Sequence, residues 1–137
     1  MVKVGLVKEG TARPNLKAKT EEELQSSVKQ LKELIKGKQS LVILIPSPMN
    51  WVETRKEIAN QTHADFKFLL EKNKILFLDL KPILEHSSDQ PLEDLHFKID
   101  GHWNVEGHQL VAKAIYQEYQ KLKSSEAKIT SEDLNNQ

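Results

Sequence analysis

The chain has 137 residues, enough for one domain, and balances 20 basic against 20 acidic side chains, so no net field exists to hold nucleic acid or an anionic membrane surface. Hydrophobic residues at 38% and charged residues at 29% fit a globular core with a polar appendage rather than a disordered chain. The absence of cysteine excludes disulfide scaffolds, thiol catalysis and cysteine-based zinc sites.

Met1–Gly10 holds a short apolar run that soon turns polar, unlike a signal peptide. No stretch nears the ~18 apolar residues that suggest a membrane span. Within that opening, Val2, Val4 and Leu6 alternate with Lys3 and Gly5, which predicts a strand over Val2–Val7. Lys8–Lys19, with Gly10 and Pro14, reads as loop. Thr20 with Glu23 forms a capping box, and Leu24, Val28, Leu31, Leu34 and Ile35 follow at helical spacing up to a stop at Gly37.

Leu41–Ile45 is apolar on both faces and ends at Pro46, as a central parallel strand covered on both sides would be. A helix is predicted from about Glu53 to Lys72, with Ile58, Phe66, Leu69 and Leu70 as its apolar stripe and Asn73 as its stop. Ile75–Leu80 reads as the next apolar strand, with Asp79 near its end. Lys81–Asp100 reads as irregular because of Pro82, Pro91 and the Ser87-Ser88-Asp89 cluster, with one helical turn around Ile83 and Leu84. Val105–Lys123 is the last predicted helix; Ser124–Gln137 reads as a polar, mobile tail beyond a domain spanning residues 1–123.

Strands and helices in alternation imply an α/β fold: a three-layer α/β/α arrangement of about three parallel strands with helices on both faces. Chemistry in such a sheet lies beyond the carboxyl ends of the strands, here Val7–Gly10, Pro46–Asn50 and Leu80–Pro82.

One stretch carries most of the chemistry-bearing residues: His96-Phe97-Lys98-Ile99-Asp100-Gly101-His102-Trp103-Asn104-Val105-Glu106-Gly107-His108. In extended backbone Asp100 and His102 project to one side, and Gly101 allows a bend between them. A carboxylate beside an imidazole fixes one ring nitrogen and frees the other to act as a base. Asn104 suits the N-cap of the following helix. The same residues also admit a plain reading, a turn acid beside an exposed histidine. A metal set of His96, Asp100, His102 and His108 has ligand types that suit zinc, but its spacing matches no established zinc pattern, so no metal or cofactor is expected. His108 reads as a packing or capping residue, and His63 and His86 as solvated.

Three further residues are candidates for substrate contact: Ser47, Asn50 and Trp103. Ser47 is the serine placed at the active edge, between two prolines, but no Gly-x-Ser-x-Gly elbow surrounds it. Met49-Asn50-Trp51 either lines an acyl pocket or staples a helix entry. Trp103 either anchors the motif loop by packing or forms a substrate wall.

Asp100-Gly101-His102-Trp103-Asn104-x-x-Gly107-His108, running into Gln109-Leu110-Val111-Ala112, resembles the last block of the SGNH/GDSL hydrolases. The commoner spacing there is Asp-x-x-His. The Asp-x-His-Trp form is closer to the acyltransferase-like branch, which includes the alginate O-acetylation proteins. The resemblance implies a flavodoxin-like sandwich, with Asp100 as the orienting acid and His102 as the base of a Ser-His-Asp triad. It also implies an acyl or acetyl ester substrate, carbohydrate esters included, and fits an extracytoplasmic parent protein, although the compartment stays open. The Gly-Asp-Ser nucleophile block is absent, and Lys8-Glu9-Gly10-Thr11 stands where the family's Asn block is expected. Aligned this way, Val2–Val7 becomes the third of five strands and the chain a C-terminal portion or a reduced member. Two expectations follow: little activity from this chain alone, and self-association through an open sheet edge. The rival expectation is a non-catalytic interaction or structural domain that keeps the fold.

Overall fold

A computed structural model of the chain describes residues 20–135, with side chains described as far as Glu126. The strand expected over Val2–Val7 and the loop Lys8–Lys19 lie outside the described residues. Helix α1, Glu21–Ile35, starts where its capping box dictates. Thr20 Oγ1 accepts from the Glu23 amide at 3.3 Å, and Glu23 Oε2 accepts from the Thr20 amide at 2.8 Å. Two amides that a helix start leaves unpaired are thereby satisfied, and Glu21, Glu22 and Glu23 sit at the positive end of the helix dipole.

Two short parallel strands, β1 (Val42–Leu44) and β2 (Phe77–Asp79), pair in the register Val42↔Phe77, Ile43↔Leu78 and Leu44↔Asp79. Each occupies the middle of the longer run expected from sequence. Their side chains alternate between two apolar clusters, as strand geometry requires. Val42, Leu44 and Phe77 join the buried Leu24 and Val28 of α1 and the Leu69 and Leu70 of α2, Lys56–Lys72. Ile43 and Leu78 join the other cluster, whose buried members are Leu80, Leu84, Leu95 and Val111. Helices therefore cover both faces of the sheet, and the architecture is mixed α/β with parallel strands, as expected.

The segment Lys81–Asp100 departs from the irregular reading. It forms α3 (Leu80–Ser87) and α4 (Pro91–Leu95). Asp79 caps α3 by accepting from the Lys81 amide at 3.0 Å. Pro82 falls in the first turn of α3 and Pro91 opens α4, places where a missing N–H costs no intrahelical bond. Leu80 and Leu84, one turn apart, are completely buried, so packing fixes α3 where the prolines suggested a break.

Two boundaries also move. Pro48–Trp51 forms a 3-10 turn, and α2 starts only at Lys56 rather than near Glu53. The last helix, α5, runs from Val105 to Asn135, so helical backbone continues through most of the segment read as a tail. Ser124 and Ser125 are accommodated there by donating to the carbonyls of Gln120 and Lys121 at 2.9 Å each. Glu126, Ala127 and Lys128 are strong helix formers.

Candidate active site

The motif between α4 and α5 doubles back as a hairpin. His96 and Trp103 pair across its base, and the Phe97 amide donates to the His102 carbonyl at 2.7 Å. The Gly101 amide reaches the Phe97 carbonyl at 3.3 Å, closing the tip. Gly101 has φ +71°, a left-handed conformation that favours glycine, and a Cβ there would meet Pro48 Cγ at 3.2 Å. The tip thus lies against the 3-10 turn that follows β1.

Asn104 secures the far end of the hairpin. Its amide donates to the Leu95 carbonyl at 3.0 Å and its Nδ2 to the Asp94 carbonyl at 2.7 Å. Its Oδ1 accepts from the Gly107 amide at 2.9 Å, the N-cap bond expected from sequence. Gly107 is buried, and a Cβ there would stand 2.3 Å from the Leu95 carbonyl oxygen. That glycine sets how closely α5 approaches α4.

Asp100 and His102 meet as the two-residue spacing suggested. Asp100 Oδ1 accepts from the His102 amide at 3.0 Å, while Oδ2 lies 3.1 Å from His102 Nδ1. The backbone amide of His102, and then its side chain, hold the Asp100 carboxyl below its ordinary value. With Nδ1 turned to the carboxylate, Nε2 is the nitrogen left for other partners. The side chains are 55% and 80% exposed, so the pair is open to solvent on this surface.

Beside the pair runs an open groove of about 1070 Å³ lined by Ser47, Met49, Leu92, Phe97, Asp100 and Gly101. Ser47 is thus brought to the same groove as Asp100. Its Oγ accepts from the Met49 amide at 3.2 Å and caps the 3-10 turn. Asn50 is not brought there: it is buried, its Nδ2 donates to Asn60 Oδ1 at 2.9 Å, and Asn60 Nδ2 donates to its carbonyl at 3.3 Å. It locks the 3-10 turn to α2 and borders a separate cavity of about 320 Å³ that it shares with Ser47 and His63. Trp103 packs on the Leu80–Leu84 cluster and stands edge-on to His108, their ring centres 5.7 Å apart. Its position is that of a packing anchor.

The four residues of the metal alternative do not converge. His96 is buried with Nδ1 on the Pro91 carbonyl at 2.8 Å, and His108 turns to Trp103. Among the described residues, no three His, Asp or Glu side chains are grouped to hold a metal.

The solvated reading of His63 is corrected. His63 Nε2 lies 2.9 Å from Asp79 Oδ1, with side chains 9% and 10% exposed, and Lys67 Nζ is 3.5 Å from Asp79 Oδ2. Burial has a cause legible in the sequence: His63 shares the helical stripe of Phe66 and Leu70. Its partner comes from β2, sixteen residues on, and no local spacing announces that pairing. His86 is exposed, as expected.

No curated protein and no solved structure matches the chain. Residues 7–136 match the family model described as the SGNH hydrolase-like domain of the acetyltransferase AlgX, a span that takes in both strands, all five helices and the Asp100–His108 block. The chain therefore belongs to this SGNH hydrolase-like, acetyltransferase-related family.

Proposed function

We propose that the chain carries the acid–base half of an acyl-transfer site, with Asp100 as the orienting acid and His102 as the base. The observation that carries this reading is the two-point hold of Asp100 on His102, through the backbone amide and through Nδ1, which leaves Nε2 free. In the reaction, Nε2 takes the proton of a serine hydroxyl as its oxygen attacks an acyl carbonyl. Asp100 stabilises the imidazolium, and the same proton then goes to the departing alkoxide. The serine and the oxyanion donors come from outside these residues, because Ser47 lacks an elbow and its oxygen already caps a turn.

The substrate in this reading is an acyl or acetyl ester, carbohydrate esters included. The groove supports it: Phe97 and Ile99 form an apolar rim, 52% and 99% exposed, next to the Asp100 carboxylate. Association through an open sheet edge, expected at the strand Val2–Val7, belongs to the same reading. Among the described residues β1 pairs only with β2, and Ile45 at its end is 57% exposed. The exposure of Asp100 and His102 favours a second reading, a non-catalytic domain that keeps the hairpin for packing.

Hydrolysis of p-nitrophenyl acetate separates these readings. The chain alone is expected to show only imidazole-level hydrolysis, lowered by His102→Ala, and no labelling by a fluorophosphonate. Hydrolysis indifferent to His102→Ala would favour the non-catalytic domain. Rapid turnover lost in both His102→Ala and Ser47→Ala would put the nucleophile at Ser47.

A further inference from the structure

His96 sits where three parts of the molecule meet. It opens the hairpin, pairing with Trp103 at the base. Its Nδ1 donates to the carbonyl of Pro91, the first residue of α4, at 2.8 Å. Its ring centre lies 5.6 Å from that of Trp51, the last residue of the 3-10 turn. Trp51 is itself held by Glu85 of α3, which accepts from Nε1 at 3.1 Å. The residue is 3% exposed, and its Nε2 has no hydrogen-bond partner among the described residues.

That last fact argues against His96 as a mere filler. A buried acceptor without a donor costs stability, and a hydrocarbon ring of similar size would fill the space without that cost. What a hydrocarbon cannot supply is the Nδ1 bond to Pro91. The bond matters because the outer part of the hairpin is weakly restrained: Lys98, Ile99 and Asp100 are exposed, the Asn104 bonds and the Trp103 packing hold only the far end, and the Gly101 tip lies beside Pro48. The direction of the whole turn from Phe97 to His102 is therefore set at its base.

We infer that His96 is the positioning residue of the Asp100–His102 pair, fixing the hairpin against α4 and the Ser47–Trp51 corner so that both borders of the groove keep one register. The inference rests on the reading of that pair as an acid–base site. His96 acts through the backbone of Phe97 and the pairing of Trp103, and touches no substrate. Removing its hydrogen bond frees the hairpin to pivot about Asn104, even where the core stays packed.

Two substitutions split packing from positioning. His96→Phe keeps the ring volume and removes the donor to Pro91. His96→Asn loses ring volume and keeps a donor, since the Asn Nδ2 stands where the imidazole Nδ1 stood. Amide exchange and NMR shifts are measured on the full chain alongside its melting temperature. In His96→Phe the Phe97 amide, bonded to the His102 carbonyl, is expected to exchange about tenfold faster, with Asp100 and Gly101 shifts moved, while melting changes little. His96→Asn is expected to melt lower yet return the hairpin shifts and Phe97 exchange toward the wild-type values. The opposite order, with the hairpin tracking melting temperature in both variants, would overturn the positioning role. If His96→Phe does not fold, Trp51→Leu takes its place by removing the ring support beside His96; unmoved hairpin shifts there would also overturn it. These readouts hold apart from catalysis. A chain whose His102→Ala variant hydrolyses the ester as before loses the acid–base reading, whereas the response of the hairpin to His96 stands or falls separately.

Discussion

His63 of α2 and Asp79 at the end of β2 stand 2.9 Å apart with their side chains only 9% and 10% exposed. The carboxylate does several tasks at once. It caps α3 through the Lys81 amide, receives the His63 ring, and lies 3.5 Å from Lys67 Nζ. One acid thus holds α2, β2 and α3 together at the carboxyl edge of the sheet, near Ser47, with which His63 shares a cavity.

Replacing that acid should separate its tasks. Asp79→Asn keeps an N-cap and a hydrogen bond for His63 but loses the charge, and is expected to cost about 1 kcal/mol. Asp79→Ala loses the cap as well and strands a buried imidazole, and is expected to cost about 2–3 kcal/mol. Urea unfolding of the two variants checks the ordering; equal losses would show that the charge alone matters and that the cap adds nothing.

The Asp100 carboxyl should titrate below its ordinary value of 3.8. The first cause is the backbone amide of His102, so His102→Ala should return the midpoint only part of the way. Because the folded value is depressed, the bond contributes above the unfolded value and is lost as pH falls through the folded one. Carbon-detected NMR titration of the carboxyl reads both points. A full return to 3.8 in His102→Ala would make the imidazole, not the amide, the dominant partner.

Gly107→Ala tests the approach of α5 to α4. In an open helix this exchange stabilises by about 1 kcal/mol. Here the new methyl would stand 2.3 Å from the Leu95 carbonyl oxygen and 3.0 Å from Trp103 Cβ. A backbone oxygen cannot swing aside as a side chain can, so a net loss of about 2–3 kcal/mol is expected. Thermal unfolding supplies the sign; an unchanged or raised melting temperature would mean that α5 slides to make room.

The open sheet edge expected of this fold predicts association. Light scattering at rising concentration should show a mass above that of one chain, and Ile45→Lys should lower it by placing a charge at the exposed end of the strand. A concentration-independent monomer would show that the edge is already satisfied within the chain.

Much of this architecture could be read in the sequence because its signals are local. The Thr20–Glu23 box, the doubly apolar strands and the Asn104 cap each depend on residues a few positions apart. Asp100 and His102 belong to the same class, two residues apart on a bent extended segment. Where local rules misled, longer-range packing decided. Pro82 and Pro91 suggested a broken chain, yet the buried Leu80, Leu84 and Leu95 hold two helices that begin at or near those prolines. Likewise Asn50, a substrate-contact candidate by sequence, turns inward to Asn60, a partner on a helix that starts later than its spacing predicts. The His63–Asp79 pair crosses from helix to strand, and only the tertiary fold could join it.

The alternation of side chains along β1 and β2 has a consequence for how this chain can change over time. Val42, Leu44 and Phe77 serve one apolar cluster, and Ile43 and Leu78 serve the other. A substitution deep in either cluster meets the opposite one mainly across a sheet backbone that it does not alter. Sites farther apart than about 7–10 Å with no shared partners tend to contribute independently. Apart from the His63–Asp79 and Asn50–Asn60 links, the helices on the two faces can therefore drift at separate rates. Divergence between distant relatives should be partitioned by sheet face rather than by position along the chain, and sequences grafted across the plane of the sheet should tolerate exchange better than sequences grafted within one side of it.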